Sequence, residues 1–533
     1  MLVRLLFGRP GYKIYLSMSI QLLKSTTVVG GMTLISRVLG FIRDMVAAHF
    51  FGASSGYDAF IIASKIPNFM RRLFAEGAFA QAFVPVLSEY RMGYPHEDVQ
   101  RFVNRVAGCL SMVLMAVTVL GICIAPILVF IFAPGFASGD EGRLVESADM
   151  LRITFPYLLF ISLTAFAGGI LNSYGRFAAP AFTPVFLNIM MIVTAVFLSP
   201  YMAEPVHALA WGMFLGGIIQ LLFQFPFLKK IHLVPIPEFN WQDKGVRRIL
   251  MLMVPALFGV SINQLNLMLS SVFASFLPIG SVSWLYYAER LMEFPLGGFG
   301  VALATVVLPK LAQQHTQAKQ EGFSATLDWG IRWVLLVGLP AALGLMLLAG
   351  PLLATLFYSD TGRFTELDVL KSQQSLMAYS LGIVGFMLVK ILASAYYARQ
   401  DIRTPVQFAV VTVIANAVFS MAFILPLAHA GLALATSLAA LLNAGLLGYG
   451  LYRRQVYTVQ PGWRLFSLRL ALACIVMALV IVFFVPSLEE WFTFSVSKRM
   501  MTLALLIVMS GLAYIGTLFA SGLRVHHILV KTE

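Results

Sequence analysis

"ILNSYGRFAAPAFTPV" (residues 170–185) reads as the end of one apolar run, a short polar turn and the start of another. The pattern returns at residues 391–406 as "ILASAYYARQDIRTPV". In register the two share Ile, Leu, Ser and the closing Thr-Pro-Val, with Arg176 and Arg399 nearby in both. Each proline suits the first turn of a helix, where its missing N–H is not needed, and Thr183 and Thr404 are candidate N-caps. A weaker echo pairs "FVPVLSEY" (83–90) with "VLPKLAQQ" (307–314), each closing an apolar run. The chain therefore reads as two similar halves.

Of 533 residues, 59% are hydrophobic and 11% charged, against about 25% charged in an ordinary soluble protein. A membrane span needs about 20 mostly apolar residues. Candidates lie at 25–49, 57–83, 106–133, 151–173, 180–199, 207–228, 249–277, 281–308, 327–357, 374–398, 405–426, 428–452, 465–486 and 500–522. The predicted fold is an all-α polytopic membrane protein of about 14 transmembrane helices. Spans 1–6 and 7–12 would be the two copies. An even number of spans per copy gives both the same orientation, hence a parallel repeat. Two six-helix lobes of this kind are the architecture of an alternating-access transporter. The expected domains are a basic cytoplasmic extension (1–24), an N-lobe (25–230), a C-lobe (244–453), a final helix pair (465–522) and a cytoplasmic tail (523–533). The extension carries Arg4, Arg9, Lys13 and Lys24, but "GRPGYK" interrupts it and no small-residue cleavage site follows, unlike a signal peptide. Met18 is a plausible alternative start.

Loop charge sets an expected orientation. With both termini inside, the outer segments hold only Arg143, Arg363, Lys371, Lys498 and Arg499, and the inner ones hold the other 22 loop Lys and Arg. Cytoplasmic loops are the Lys/Arg-rich ones. The formal net charge of +13 is then largely a topology signal and no argument for nucleic acid. Cys109, Cys123 and Cys474 sit in apolar runs without paired spacing, so neither a disulfide nor a metal site is expected. No zinc-protease, P-loop or nucleophile-elbow pattern occurs in the sequence. The reading is of no enzyme, no cofactor and no metal.

The bases inside the spans carry the functional question. Arg152, Arg332 and Arg469 lie near span ends and can snorkel to the headgroups. Arg37, Arg43, Lys65, Arg71, Arg72 and Arg290 are deeper. Each would cost about 2.5–3.5 kcal/mol at the centre of a bilayer, and six roughly 15–20 kcal/mol. They must face water, counter-charges or both. Asp58, Lys65 and Arg72 are spaced by sevens on one helix face, with Glu76 four residues on, although Pro67 interrupts the helix. Arg37 and Asp44 are also seven apart. "YYAERLMEFP" (286–295) sets Glu289 and Glu293 on one face with Arg290 beside them. Two readings stand: salt-bridged packing clusters, or a hydrated cationic pocket for a phosphate or pyrophosphate. Arginine suits bidentate oxyanion binding, and the bases outnumber the nearby acids.

"SRVLGFIRD" (36–44), "NFMRRLFAEGAFAQAFVPVLSEY" (68–90) and "YYAERLMEFP", with the span pattern around them, closely resemble the MurJ (MviN) lipid II flippase family. That family belongs to the superfamily of multidrug, oligosaccharidyl-lipid and polysaccharide exporters. The resemblance runs from about Met18 to the C-terminus. It implies two lobes around a cationic cavity, and a groove at spans 13 and 14 for a polyprenyl tail. It carries substrate-binding roles to Arg37, Arg43, Arg71 and Arg290, joined on the residue reading by Arg72 and Lys65. Asp58 and Glu293 match functional acids, Glu289 stands where the family has aspartate, and Asp44 completes the charge-pairing set.

The implied function is to flip lipid II, the undecaprenyl-pyrophosphate-linked peptidoglycan precursor, from the inner to the outer leaflet of the bacterial cytoplasmic membrane. Lipid II and membrane lipids are the implied partners, with other cell-wall synthesis and division proteins as further candidates. Moving net negative charge outward is favoured by an inside-negative potential at about 2.3 kcal/mol per charge per 100 mV. A flippase for another polyprenyl-linked glycan shares nearly every physical argument. A cation-drug antiporter would want an acidic cavity, a membrane enzyme would want a catalytic site at a membrane face, and a structural division protein would not need buried bases.

Overall fold

The computed structural model describes residues 10–73, 79–138, 141–317 and 320–523, and among these no strand occurs. Helices satisfy every backbone polar group within one segment, which hydrocarbon demands. Ten helical segments among the described residues are long and apolar enough to cross a membrane. The charge-bearing helices Pro10–Phe51 and Ser55–Arg71 stand outside those ten.

The chain divides into two compact units. The first comprises Met1–Ala47, Ala59–Phe130 and Gly142–Gln264. Its principal helices are α1 (Pro10–Phe51), α2 (Ser55–Arg71), α3 (Ala80–Gly93), α4 (His96–Cys123), α5 (Tyr157–Ser173), α6 (Pro184–Val193), α7 (His207–Lys229) and the start of α8 (Lys244–Ser275). Helix α1 begins inside the segment read as an N-terminal extension. An aromatic stack ties α3, α4 and α5: Phe83 lies 4.9 Å from Phe166 and 6.2 Å from Phe102, centroid to centroid. Helices α6 and α7 approach closely because Gly216 has no Cβ; one built there would sit 2.9 Å from Leu187 Cδ1.

The second unit comprises Ala48–Asp58, Ile131–Glu141 and Leu265–Glu533. The turn joining α1 to α2 therefore packs with the C-terminal half, although in sequence it falls within the expected N-lobe. The helices are α9 (Ser281–Pro295), α10 (Val301–Thr316), α11 (Gln320–Leu347), α12 (Ala349–Leu356), α13 (Glu366–Ser380), α14 (Ile383–Ala398), α15 (Arg403–Arg453), α16 (Trp463–Phe484) and α17 (Val496–Ala520). Helix α15 breaks at Ala428 (φ 47°), two residues beyond Pro426 and at the first residue of the span expected at 428–452. Pro295 and the glycines after it end α9 in a π-turn over Leu296–Gly300.

The repeated turn corrects one expectation. Pro184 does open α6, but Thr183 is no cap: its hydroxyl donates back to the Ala179 carbonyl at 2.8 Å and accepts from Gln224 at 3.1 Å. In the second copy Asp401, rather than Thr404, supplies the cap. It accepts from the Thr404 N–H at 3.1 Å and hydroxyl at 2.7 Å, and from Arg454 at 2.8 Å. Burial opposes ionisation of Asp401, yet these bonds win and hold its carboxyl below the ordinary range. A depressed carboxylate contributes stability that is present above its unfolded pKa, about 3.9, and lost as pH falls through the folded value. Wild type is expected to melt above Asp401→Asn at neutral pH, and the gap to close below about pH 4. Parallel melting curves across that range would contradict the cap.

Candidate functional site

Asp58, at the first turn of α2, is fully buried in the second unit. Its carboxylate accepts from the Gly280 N–H at 2.7 Å, the Ser283 N–H at 2.8 Å and the Ser283 hydroxyl at 2.5 Å. Those N–H groups belong to the open first turn of α9, so Asp58 caps a helix distant in sequence. A carboxylate there satisfies orphan donors and meets the positive end of the helix dipole. Tyr57 stacks on Tyr287 of α9 with centroids 5.6 Å apart, and Arg363 N–H bonds the His49 carbonyl at 2.9 Å. Gly52, at φ 62°, admits no side chain because a Cβ would strike the Arg363 backbone.

Two turns along the same α9, Arg290 and Glu293 form the ion pair their spacing predicts, at 3.2 Å, with side chains 32% and 47% exposed. Arg290 also lies 5.8 Å from the Tyr286 ring centroid. Glu289 is half-buried beside it. Exposure of this size leaves Arg290 able to exchange its carboxylate for another anion.

In the first unit Arg43, Asp44 and Asn188 make a bonded set. Arg43 Nη2 and Nε reach one oxygen of the buried Asp44 at 2.7 and 3.1 Å, and Nη1 reaches Asn188 Oδ1 at 3.1 Å. Asn188 in turn donates to the Ser36 carbonyl at 3.1 Å. Asp44 thus takes its sequence neighbour Arg43 as a partner. Arg37 is exposed; Arg71 is half-buried and donates to Asn68 at 3.3 Å. Lys65 is half-buried and Arg72 exposed. The expected stripe of sevens is corrected at both ends. Asp58 is committed to α9, and Arg72 lies beyond the end of α2, where the chain turns into a π-turn. Glu76 lies outside the described residues.

Sequence reasoning missed Asn188 and Ser283. Each is an ordinary polar residue in an apolar run, and only its contact partner marks it. The carboxylates of the site are tied to arginines and backbone donors, and among the described residues no group of three or more His, Cys, Asp or Glu is placed to hold a metal.

An all-helical chain with ten apolar spans among its described residues, and arginines set within apolar helices, fits the class of polytopic membrane transporters. Among solved structures, an inward-facing multidrug resistance MATE transporter of the MOP superfamily shares the fold at a TM-score of 0.62 and 16% identity, covering 81% of this chain and 98% of its own. A structure titled "Lipid II flippase MurJ, inward closed conformation" matches at a TM-score of 0.76 and 26% identity, covering 92% of this chain and 100% of that one. The probable lipid II flippase MurJ of Vibrio cholerae serotype O1 is 45% identical over 523 residues, spanning 97% of this chain and 99% of that protein. A family model described as "Lipid II flippase MurJ" matches residues 47–502. The chain belongs to the lipid II flippase MurJ family. It is a multi-pass inner-membrane transporter and not an enzyme.

Proposed function

We propose that the protein moves lipid II from the inner to the outer leaflet by alternating access, with both termini in the cytoplasm. The full-length relationship to lipid II flippases carries this reading. The arginines supply its chemistry. Arg37, Arg43, Arg71 and Arg290, helped by Lys65 and Arg72, replace water around the pyrophosphate while the polyprenyl chain stays in lipid, held at spans 13 and 14. Asp44 and Glu293 hold Arg43 and Arg290 in place until substrate competes for them. Other cell-wall synthesis and division proteins are natural associates of such a step. Depletion tests the function: lipid-linked precursor should accumulate in the inner leaflet. Accumulation in the outer leaflet would move the protein to a later step.

Glu293→Gln isolates the exchange at Arg290. The amide keeps the shape but removes the Glu293 charge from the guanidinium. Lipid II binding by the purified variant should persist while translocation in cells falls. Normal translocation would remove Glu293 from the cycle; loss of both would make it a binding residue.

A further inference from the structure

Helix α11 carries a polar residue at every fourth position of its first half: Gln320, Ser324, Asp328 and Arg332. Each bonds the linker that leads from α15 into α16. Gln320 donates to the Gln455 carbonyl at 2.7 Å, and Ser324 bonds the Thr458 carbonyl and N–H, both at 2.9 Å. Buried Asp328 accepts from the Tyr457 hydroxyl and the Trp463 indole N–H, both at 2.7 Å. Arg332 donates to Asp328 at 2.7 Å and to the Pro461 carbonyl at 2.9 Å. One turn further, the Leu336 carbonyl accepts from Tyr514 of α17 at 2.6 Å. Burial, with the Asp328 carboxylate alongside, holds the Tyr457 phenol well above its ordinary range, so it remains a donor.

The other end of the helix pair is fastened as well. Arg499, at the start of α17, is 1% exposed. It donates to the carbonyls of Phe494 at 2.8 Å and Tyr358 at 3.2 Å, and reaches toward that of Ala354 at 3.4 Å, at the end of α12. A buried guanidinium among carbonyls at a helix C-terminus is favourably placed and specific in geometry. Trp491 donates to Thr355 at 3.1 Å. Such polar bonds, fully satisfied and away from water, specify one arrangement.

From these contacts we infer that Asp328 and Arg499 are positioning residues. They hold the α16–α17 pair to α11 and α12 as one rigid body, so the pair does not move as a separate gate. The inference rests on the proposal that this pair holds the polyprenyl tail, and adds that the tail site keeps a fixed wall through the cycle.

The test uses full-length protein in nanodiscs with the native cysteines replaced. Spin labels go at Ala325 and Leu468 for one end, and at Thr361 and Lys498 for the other, all exposed positions. Both distance distributions should be narrow and unchanged by saturating lipid II. Asp328→Asn should broaden the first and Arg499→Lys the second. The variants should also lose about tenfold in their preference for long-chain over short-chain lipid II, with short-chain binding unchanged; loss of both alike would mark a general fold defect and overturn the positioning role. A shift in the wild-type distances on binding would overturn the rigid body. Unchanged distances with no chain-length preference in wild type would remove the tail reading and leave the clamp standing.

Discussion

Arg43→Lys and Arg290→Lys are each expected to cut lipid II transport by about 10- to 100-fold, with protein levels near normal. The reason is geometric. A guanidinium offers five donors in a planar fork and can grip a phosphate with two parallel bonds while keeping a bond to its own carboxylate; an ammonium cannot do both. Arg43 already uses Nε and Nη2 on Asp44 and Nη1 on Asn188. Lysine at this position would reach one of these partners and leave the others short of donors. Losing one charge-assisted hydrogen bond is worth about 1.5–3 kcal/mol, which is the stated range of rate. Complementation of a depleted strain, with membrane levels measured alongside, checks it. Full activity of both lysine variants would show that a diffuse positive field is sufficient.

Asp58→Asn is expected to be the most destabilising of the isosteric changes, by about 3 kcal/mol. The carboxylate accepts three hydrogen bonds in a fully buried position. An amide has one oxygen to accept them, and its NH2 would face an N–H or hydroxyl donor. The first turn of α9 would then lose both a cap and a negative charge at its positive end. Ser283→Ala removes only one of the donors and should cost about 1 kcal/mol. Thermal unfolding of the purified proteins measures both. An Asp58→Asn protein melting with wild type would show that the α9 terminus is satisfied in some other way.

Much of the fold was legible because its determinants are local. Apolar runs of span length and the Thr-Pro-Val repeat are properties of the chain alone, and so is the three-residue spacing that brings Arg290 to Glu293. Helical periodicity turns sequence distance into position on a face, which suffices for partners within two turns. It did not suffice for Asp58. From its spacing it belongs with Lys65, but its carboxylate is drawn to the N-terminus of a helix more than 200 residues away, since orphan N–H groups and a helix dipole bind it where spacing alone cannot tell. Arg499 read as an outer-loop charge, and burial among carbonyls made it a clamp. Gln320, Ser324 and Asp328 carried no signal in the sequence, because the linker they bond returns 129 to 135 residues later. The sequence by itself determined the helices, their repeat and the charges inside them. Tertiary structure decided which charges are spent on holding helices together, because burial and long-range hydrogen bonds depend on what the chain returns to meet.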